Sequence, residues 1–273
     1  MLENIIANIR QSSPIVHCIT NYVTVNDCAN ILLACGSSPI MADDPAEAAD
    51  ITAVCSALDI NIGTLNQNTI PAMLAAGKRA NELSHPILLD PVGAGASPLR
   101  TNTAAELLNN VRFSVIRGNI SEIKAIATGI GGAKGVDADA ADAVTEDTLL
   151  STAELAKNFS AATGAVIAIT GAVDIIADDK TSYAVRNGCP IMSRITGSGC
   201  MLSAMTCAFA AANRDRMTEA VTAAVAAMGL AGEKAAARMG ELDGNSTFRN
   251  YLIDAIFNMD DKTLREGAKI EKI

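Results

Sequence analysis

The sequence predicts a three-layer α/β/α sandwich with a mostly parallel central sheet, and three observations indicate this fold class. Short apolar runs alternate with segments of helical length, which is typical of a buried parallel sheet flanked by helices. Hydrophobic residues make up 49% of the 273 residues, enough for a large core. The last third is rich in alanine and helical in pattern. We therefore expect a single domain over residues 1–273, with ligands at the C-terminal ends of the strands.

Six apolar runs are predicted to be parallel strands, because each is short, apolar on both faces and followed by a turn or a polar residue. They are residues 15–19, 38–41, 57–60, 87–89, 113–116 and 165–169. Helices are predicted at 25–35, 45–55, 67–84, 104–110, 122–128, 200–211, 218–239 and 248–258. Pro45 supports the second helix, since proline favours a helix start and Asp43 and Asp44 precede it as caps.

Two further segments complete the prediction. Residues 173–177 and 182–186 flank Asp178-Asp179-Lys180, which predicts a β-hairpin. The stretch 129–147 is rich in Gly, Ala and Asp, and we interpret it as a surface connection with solvated acids.

Charge and cysteine content limit the classes of partner. A net charge of −9 repels nucleic acid and anionic membrane surfaces, so neither is expected as a partner. The sequence has seven cysteines, an odd number, and no Cys-x-x-Cys motif. This pattern favours a protein of the reducing cytoplasm. The sequence shows no signal-peptide pattern at its start. Its longest uncharged helical run, residues 220–232, is too short to span a bilayer.

The run Thr196-Gly197-Ser198-Gly199-Cys200 opens directly into an apolar helical segment. Small residues allow backbone N–H groups to converge, and the positive end of the helix dipole points at the same place, so the run predicts an anion site. Cys200 lies in the first helical turn, where a thiol pKa is expected to be lowered. The run therefore indicates an enzyme that acts on, or with, a phosphate.

Three other polar groups follow predicted strands. Asp90 precedes a Gly-rich turn and suits Mg²⁺ or a polyphosphate. Arg117 offers a cation for phosphate, and Asn119 and Glu122 offer two oxygens on one helical face. Thr170 offers a hydroxyl before a tight turn. Because strand ends in a parallel sheet meet at one edge, these groups predict a single site.

Each feature also has a structural interpretation. Asp90 before a proline could be a turn former, and Asn119 with Glu122 could be a helix capping box. A lone cysteine such as Cys200 is more often a small buried residue than a catalyst. His17 could pair with Cys200 in a hydrolase dyad, although a histidine inside a strand is more often structural. A non-catalytic nucleotide-binding protein is a further alternative.

Taken together, these residues resemble the hydroxyethylthiazole kinase family, which has the ribokinase-like fold, over nearly the whole chain. The motifs that carry the resemblance are His17-Cys18-Ile19-Thr20-Asn21, Ser38-Pro39-Ile40-Met41-Ala42, Asn61-Ile62-Gly63-Thr64-Leu65, Asp90-Pro91-Val92-Gly93-Ala94-Gly95, Ile116-Arg117-Gly118-Asn119 with Glu122, Ala168-Ile169-Thr170-Gly171 with Val173-Asp174, and Thr196-Gly197-Ser198-Gly199-Cys200.

The resemblance implies transfer of the ATP γ-phosphoryl group to the primary hydroxyl of 4-methyl-5-(2-hydroxyethyl)thiazole, in thiamine biosynthesis and salvage. It implies that Met41 and Gly197 contact the thiazole and that Arg117 and Thr170 contact ATP. It also implies a homotrimer with active sites between neighbouring subunits. A kinase of the same fold acting on a hydroxymethylpyrimidine or a sugar is the nearest alternative.

The resemblance also suggests the catalytic groups. Asp90 and Glu122 match positions associated with Mg²⁺ and phosphate. Cys200 stands where most ribokinase-like kinases carry an aspartate base, so the resemblance leaves two possibilities for it: it accepts the substrate proton, or the alcohol loses its proton late without a base.

Overall fold

The described residues, 2–127 and 144–273 of the computed structural model, form a nine-stranded sheet between two layers of helices. The strand order is β2-β1-β3-β4-β5-β6-β7-β8-β9, parallel from β2 to β6 and antiparallel from β6 to β9. The strands are β1 (Ile15–Ile19), β2 (Ser38–Met41), β3 (Ala57–Asn61), β4 (Ile87–Asp90), β5 (Val115–Asn119), β6 (Val166–Thr170), β7 (Asp174–Ala177), β8 (Ser182–Val185) and β9 (Ile270–Lys272).

Two hydrophobic cores separate the sheet from the helix layers, because alternate strand residues face opposite sides. In β3, Ala57 faces the first layer and Leu58 the second. The first layer contains α1 (Ile5–Ser12), α2 (Val25–Cys35), α8 (Ser198–Ala212), α9 (Met217–Arg238), α10 (Asn245–Phe257) and α11 (Asp261–Gly267). The second contains α3 (Ala48–Val54), α4 (Thr69–Glu82), α5 (Pro98–Asn110), α6 (Ile120–Ala127) and α7 (Leu149–Thr163). The predicted α/β/α sandwich is confirmed.

The predicted elements differ from the observed ones mainly at their ends. Strand β5 covers 115–119 rather than 113–116, so Arg117 lies within the strand instead of after it. Helix α5 begins at Pro98 rather than residue 104, because the Ser97 side chain caps it by accepting from the Arg100 amide. Helices α1, α7 and α11 and strand β9 were not predicted. Most of the stretch 129–147 lies outside the described residues.

Three features of the fold determine where polar groups gather. Register pairs Asn61 with Asp90 and Asn119 with Thr170 across neighbouring strands. The C-terminal ends of β3 to β6 therefore meet at one edge of the sheet. Helix α8 packs against β1, β3 and β4 and begins at this edge.

Within the described part of the chain, no helix has both the length and the apolar character needed to cross a membrane.

Candidate active site

Arg117 connects the polar groups at the sheet edge. Its Nη2 donates to Thr170 Oγ1 at 2.7 Å, and its Nη1 lies 3.6 Å from Asp90 Oδ2. The guanidinium also lies against Gly199 at the start of α8, where an added Cβ would be only 2.8 Å from Nη1. Glycine at this position therefore allows the cation to approach the helix start. The structure thus brings together three groups that sequence reasoning placed at separate strand ends.

Asp90 is a fully buried carboxylate with unequal oxygens. Its Oδ2 accepts from Asn61 Nδ2 and from Ser203 Oγ, both at 2.8 Å. Its Oδ1 has no hydrogen-bond partner among the described residues. Burial raises the pKa of Asp90 to about 6, against the opposing effect of Arg117. Oδ1 is therefore the oxygen left available for a ligand.

Glu122 and Asn119 form a helix capping box, which the sequence offered as the structural alternative to a ligand-binding role. Asn119 N donates to Glu122 Oε2, and Glu122 N donates to Asn119 Oδ1, both at 2.9 Å. The other oxygen, Glu122 Oε1, accepts from the Gly93 amide at 2.8 Å. Glu122 therefore ties the Gly-rich turn after β4 to the end of β5. Each of its oxygens already holds one backbone amide.

Cys200 lies in the first turn of α8, and its sulfur accepts hydrogen bonds from two side-chain amides. Asn21 Nδ2 is 3.2 Å and Asn61 Nδ2 is 3.3 Å from Sγ. The expected lowering of the thiol pKa by the helix start is wrong. Burial, and then the charge of Asp90, raise the pKa of Cys200, and the hydrogen bonds that the sulfur receives only oppose this effect.

His17 does not form a dyad with Cys200. Its Nδ1 lies 2.8 Å from Thr52 Oγ1 and its Nε2 lies 2.7 Å from the carbonyl oxygen of Ala42, so both ring nitrogens are occupied. Side-chain alternation along β1 directs His17 toward α3, whereas Cys18 faces α8. The hydrolase alternative, which needs a Cys200–His17 pair, is therefore wrong.

Two cavities lie near the start of α8. The larger has a volume of about 630 Å³ and is lined by residues that include Arg117, Thr170, Ser198 and Gly199. The smaller has a volume of about 180 Å³, and Met41 is among its lining residues. It is also lined by Thr20 and Tyr22, from the loop after β1 that carries Asn21, and by Val25 at the start of α2.

Gly197 lies where the loop after β1 packs against the start of α8. It precedes the helix with φ 85°, in the left-handed region that favours glycine. An added Cβ would lie 2.6 Å from Thr24 Cγ2, so glycine also allows the loop after β1 to pack against the helix start. The predicted contact of Gly197 with a thiazole stays a prediction.

Comparison with known proteins decides the family. Residues 6–262 match the model of the hydroxyethylthiazole kinase family. The chain belongs to this family. It is 60% identical over 271 residues to a hydroxyethylthiazole kinase of Clostridium acetobutylicum, with 99% of each chain covered. As the sequence predicted, the protein is a kinase of the ribokinase-like fold.

Solved structures agree with this assignment. The chain is similar to a hydroxyethylthiazole kinase protein of Pyrococcus horikoshii, with a TM-score of 0.88, 34% identity, and coverage of 100% of this chain and 98% of that one. A ribokinase-like superfamily protein of Enterococcus faecalis has a TM-score of 0.63 at 11% identity, covering 92% of this chain and 88% of that one. The second likeness concerns the fold alone.

Several polar residues of this kinase were not assigned a role from the sequence. Asn21 and Asn61 each follow or end a strand, as Asp90 does, and that shared signal could have identified them. Arg100 donates to the carbonyl oxygens of Val92 at 2.5 Å and Gly63 at 2.7 Å, holding together the loops after β3 and β4.

Asp174 lines the larger cavity and was quoted only as part of a motif. Its Oδ1 accepts from the Gly171 amide at 2.9 Å, and burial raises its pKa to about 7. Its position at the start of β7 gave no separate signal in the sequence.

Proposed function

We propose that the protein transfers the γ-phosphoryl group of ATP to the primary hydroxyl of 4-methyl-5-(2-hydroxyethyl)thiazole, in thiamine biosynthesis and salvage. Family membership supports this reaction. The main structural support is the position of α8. Its first turn lines the larger cavity, while Gly197, just before it, packs against the loop after β1 that lines the smaller cavity. We assign ATP to the larger cavity and the thiazole to the smaller one, beside Met41 and Gly197.

The nucleotide is held mainly by charge and by backbone amides. Arg117 faces the phosphates from within β5, with its guanidinium oriented by Thr170. The N–H groups at the start of α8, from Ser198 onward, hold the transferring phosphoryl group, because the first amides of a helix have no partner within it. Phosphoryl transfer depends largely on such positioning and charge neutralisation.

Magnesium fits this arrangement as a companion of ATP. No group of three or more His, Cys, Asp or Glu side chains that could hold a metal occurs among residues 2–127 and 144–273. Mg²⁺ commonly uses one or two carboxylates together with substrate phosphates. The unpartnered Asp90 Oδ1 is a suitable ligand, and Glu122 supports the neighbouring turn. When bound, the ion neutralises charge on the phosphates.

Cys200 accepts the proton of the substrate hydroxyl in this proposal. As the hydroxyl oxygen bonds to the γ-phosphorus, the bond to the β-phosphate oxygen breaks, ADP leaves, and the hydroxyl proton moves to the sulfur. The acceptor is the thiolate. Because the pKa of Cys200 is raised, little thiolate is present at neutral pH, and the rate is expected to rise with pH.

Substitution of Cys200 tests this role. Cys200→Ala is expected to lower kcat about tenfold or more, with a smaller change in KM, because positioned proton transfer contributes at the transition state. Cys200→Asp is expected to keep or improve turnover at pH 7, since a carboxylate needs no high pH to ionise, and to flatten the pH profile. Steady-state kinetics from pH 6 to 9 measure both. Full activity of Cys200→Ala would rule out the proton-acceptor role.

The wall of the larger cavity gives a second prediction with a matched control on one helix. In α9, a Cβ on Gly229 would lie 2.6 Å from the Asn187 backbone, whereas one on Gly232 would meet the flexible end of Met192. Gly229→Ala is expected to cost about 1–3 kcal/mol of stability and to raise the KM for ATP. Gly232→Ala should be close to neutral. Urea denaturation and ATP kinetics measure the two effects, and equal behaviour of the variants would contradict this packing argument.

We further propose a cytoplasmic homotrimer with active sites at the subunit boundaries. Tyr22 and Val23 support a boundary here, because these apolar side chains, 78% and 59% exposed, lie in the loop beside the smaller cavity. All seven cysteines are free, which suits a reducing compartment. Sedimentation analysis measures the assembly, and a monomer with full activity would contradict it.

The first experiment is a measurement of ADP release from ATP and Mg²⁺, with and without the thiazole alcohol, with the product identified by mass spectrometry. Strong thiazole-dependent turnover is expected. Turnover only with a hydroxymethylpyrimidine or a sugar would keep the kinase and change its substrate. No turnover with any alcohol would leave nucleotide binding without catalysis.

A further inference from the structure

Two buried asparagines hold the Cys200 sulfur from the side of the sheet. Asn21 is 4% exposed and Asn61 is 1% exposed. Each directs one side-chain N–H group at Sγ, at 3.2 and 3.3 Å respectively. The two amides also bond to each other, from Asn21 Nδ2 to Asn61 Oδ1 at 3.1 Å. They form one unit, the asparagine pair, rather than two independent contacts.

The remaining bonds of the asparagine pair determine the orientation of both amides. Asn21 Oδ1 accepts from the Thr24 amide at 3.1 Å and from Thr24 Oγ1 at 3.0 Å. Asn61 Oδ1 also accepts from the Gly63 amide at 2.9 Å. All donor and acceptor positions of the two side chains are therefore used. Rotating either amide by half a turn would place a carbonyl oxygen against an acceptor, so the N–H groups must face the sulfur.

The pair also separates the sulfur from the nearest negative charge. Asn61 Nδ2 donates its second hydrogen to Asp90 Oδ2 at 2.8 Å, so one amide nitrogen lies between the carboxylate and Cys200. An N–H group that faces sulfur stabilises the thiolate more than the thiol. This is the opposite of the effect that Asp90 has on Cys200.

We propose that Asn21 and Asn61 are positioning residues for Cys200, which hold its sulfur at the start of α8 and favour its proton-accepting state. The inference rests on the proposed function of Cys200. Close packing supports it, because a Cβ on Gly63 would lie 2.9 Å from both Asn21 Cβ and Asn61 Oδ1. The glycine after β3 therefore leaves the space that the pair occupies.

A double-mutant cycle tests this role against a purely structural one. Asn21→Leu removes the amide donor while keeping similar bulk. It is expected to lower kcat about tenfold in the Cys200 protein, with little change in the KM for the thiazole alcohol. In the Cys200→Ala protein, the same change is expected to lower kcat less than twofold, because the sulfur it acts through is gone. Equal losses in both backgrounds would overturn the inference.

A readout without substrate separates failure of this inference from failure of the proposed function. Cys189 and Cys200 are the cysteines that are not buried, so Cys189→Ser leaves Cys200 as the accessible thiol. Alkylation by iodoacetamide at pH 8, located by peptide mass spectrometry, is expected to slow at least fivefold in Asn21→Leu. An unchanged rate contradicts the inference even if the wild-type protein does not phosphorylate the thiazole alcohol. If Asn21→Leu does not fold, Asn21→Ser replaces it in both measurements with the same expected directions.

Discussion

Replacing Arg117 with alanine is expected to lower kcat by about 10²–10³-fold, the range found when one positioned charge-stabilising donor is removed. The guanidinium lies between Asp90, Thr170 and the start of α8, where the proposed phosphoryl group is held. Its loss removes the cation and leaves the buried Asp90 carboxylate without its positive neighbour. Steady-state kinetics with ATP and the thiazole alcohol measure the effect.

Two milder variants keep this prediction testable if Arg117→Ala is unstable. Arg117→Lys keeps a charge but loses the planar fork, so an intermediate loss is expected. Thr170→Val removes only the hydroxyl that orients the guanidinium at 2.7 Å, and a smaller loss, mostly in KM for ATP, is expected. A folded Arg117→Lys protein with wild-type kinetics would show that the cation does not face the reacting phosphates.

Replacing Asp59 with asparagine is expected to stabilise the protein increasingly as the pH rises. Asp59 is fully buried in the middle of β3, and neither of its oxygens has a hydrogen-bond partner among the described residues. Burial, and then the charge of Asp90, raise its pKa well above the usual value for an aspartate. The folded state therefore keeps a proton that the unfolded state releases near its ordinary pKa of 3.8.

This difference in proton binding sets the sign of the pH dependence. The contribution of Asp59 to stability is fully present below pH 3.8 and is lost as the pH rises toward its raised folded-state pKa. In that interval, the free energy of unfolding of the wild-type protein should fall relative to Asp59→Asn by about 1.4 kcal/mol per pH unit.

Urea denaturation between pH 5 and 8, at one protein concentration, measures this difference. Asp179→Asn, at an exposed position in the turn between β7 and β8, is the matched control and should show no such trend. Parallel curves for the wild-type and Asp59→Asn proteins would mean that Asp59 is not protonated in the folded state. Asp59→Val should stabilise further, by about 1–3 kcal/mol at neutral pH, because it removes an unpartnered buried polar group.

Sequence reasoning located the parallel strands mainly because most of them, such as β3 and β4, are buried on both faces and contain short apolar runs. It was less successful where an element depends on distant residues. Strand β9 has three residues and exists through pairing with β8, for instance Lys272 with Tyr183. Helix α1 has eight residues and left-handed residues at both ends, Asn4 and Ser13, so its local signals are weak.

The candidate site was predicted unevenly for a related reason. Asp90, Arg117 and Thr170 were identified because strand ends in a parallel sheet converge, and the structure places the Arg117 guanidinium 2.7 Å from Thr170 and 3.6 Å from Asp90. The sequence offered Glu122 as a residue associated with Mg²⁺ or as part of a capping box; the capping box is observed, and the role toward Mg²⁺ stays a prediction. The pKa of Cys200 was predicted in the wrong direction, since a helix start is visible in a sequence whereas burial beside Asp90 is not.

The sequence by itself determined the fold class, the kinase family and the edge of the sheet where polar side chains gather, because these depend on local periodicity and on motif residues in order. Only the tertiary structure decided how those side chains act on one another. The asparagine pair joins residues far apart in the chain to Cys200, and the occupied nitrogens of His17 exclude its pairing with that thiol. Hydrogen bonding and desolvation act over a few ångströms, so they are set by packing rather than by position in the sequence.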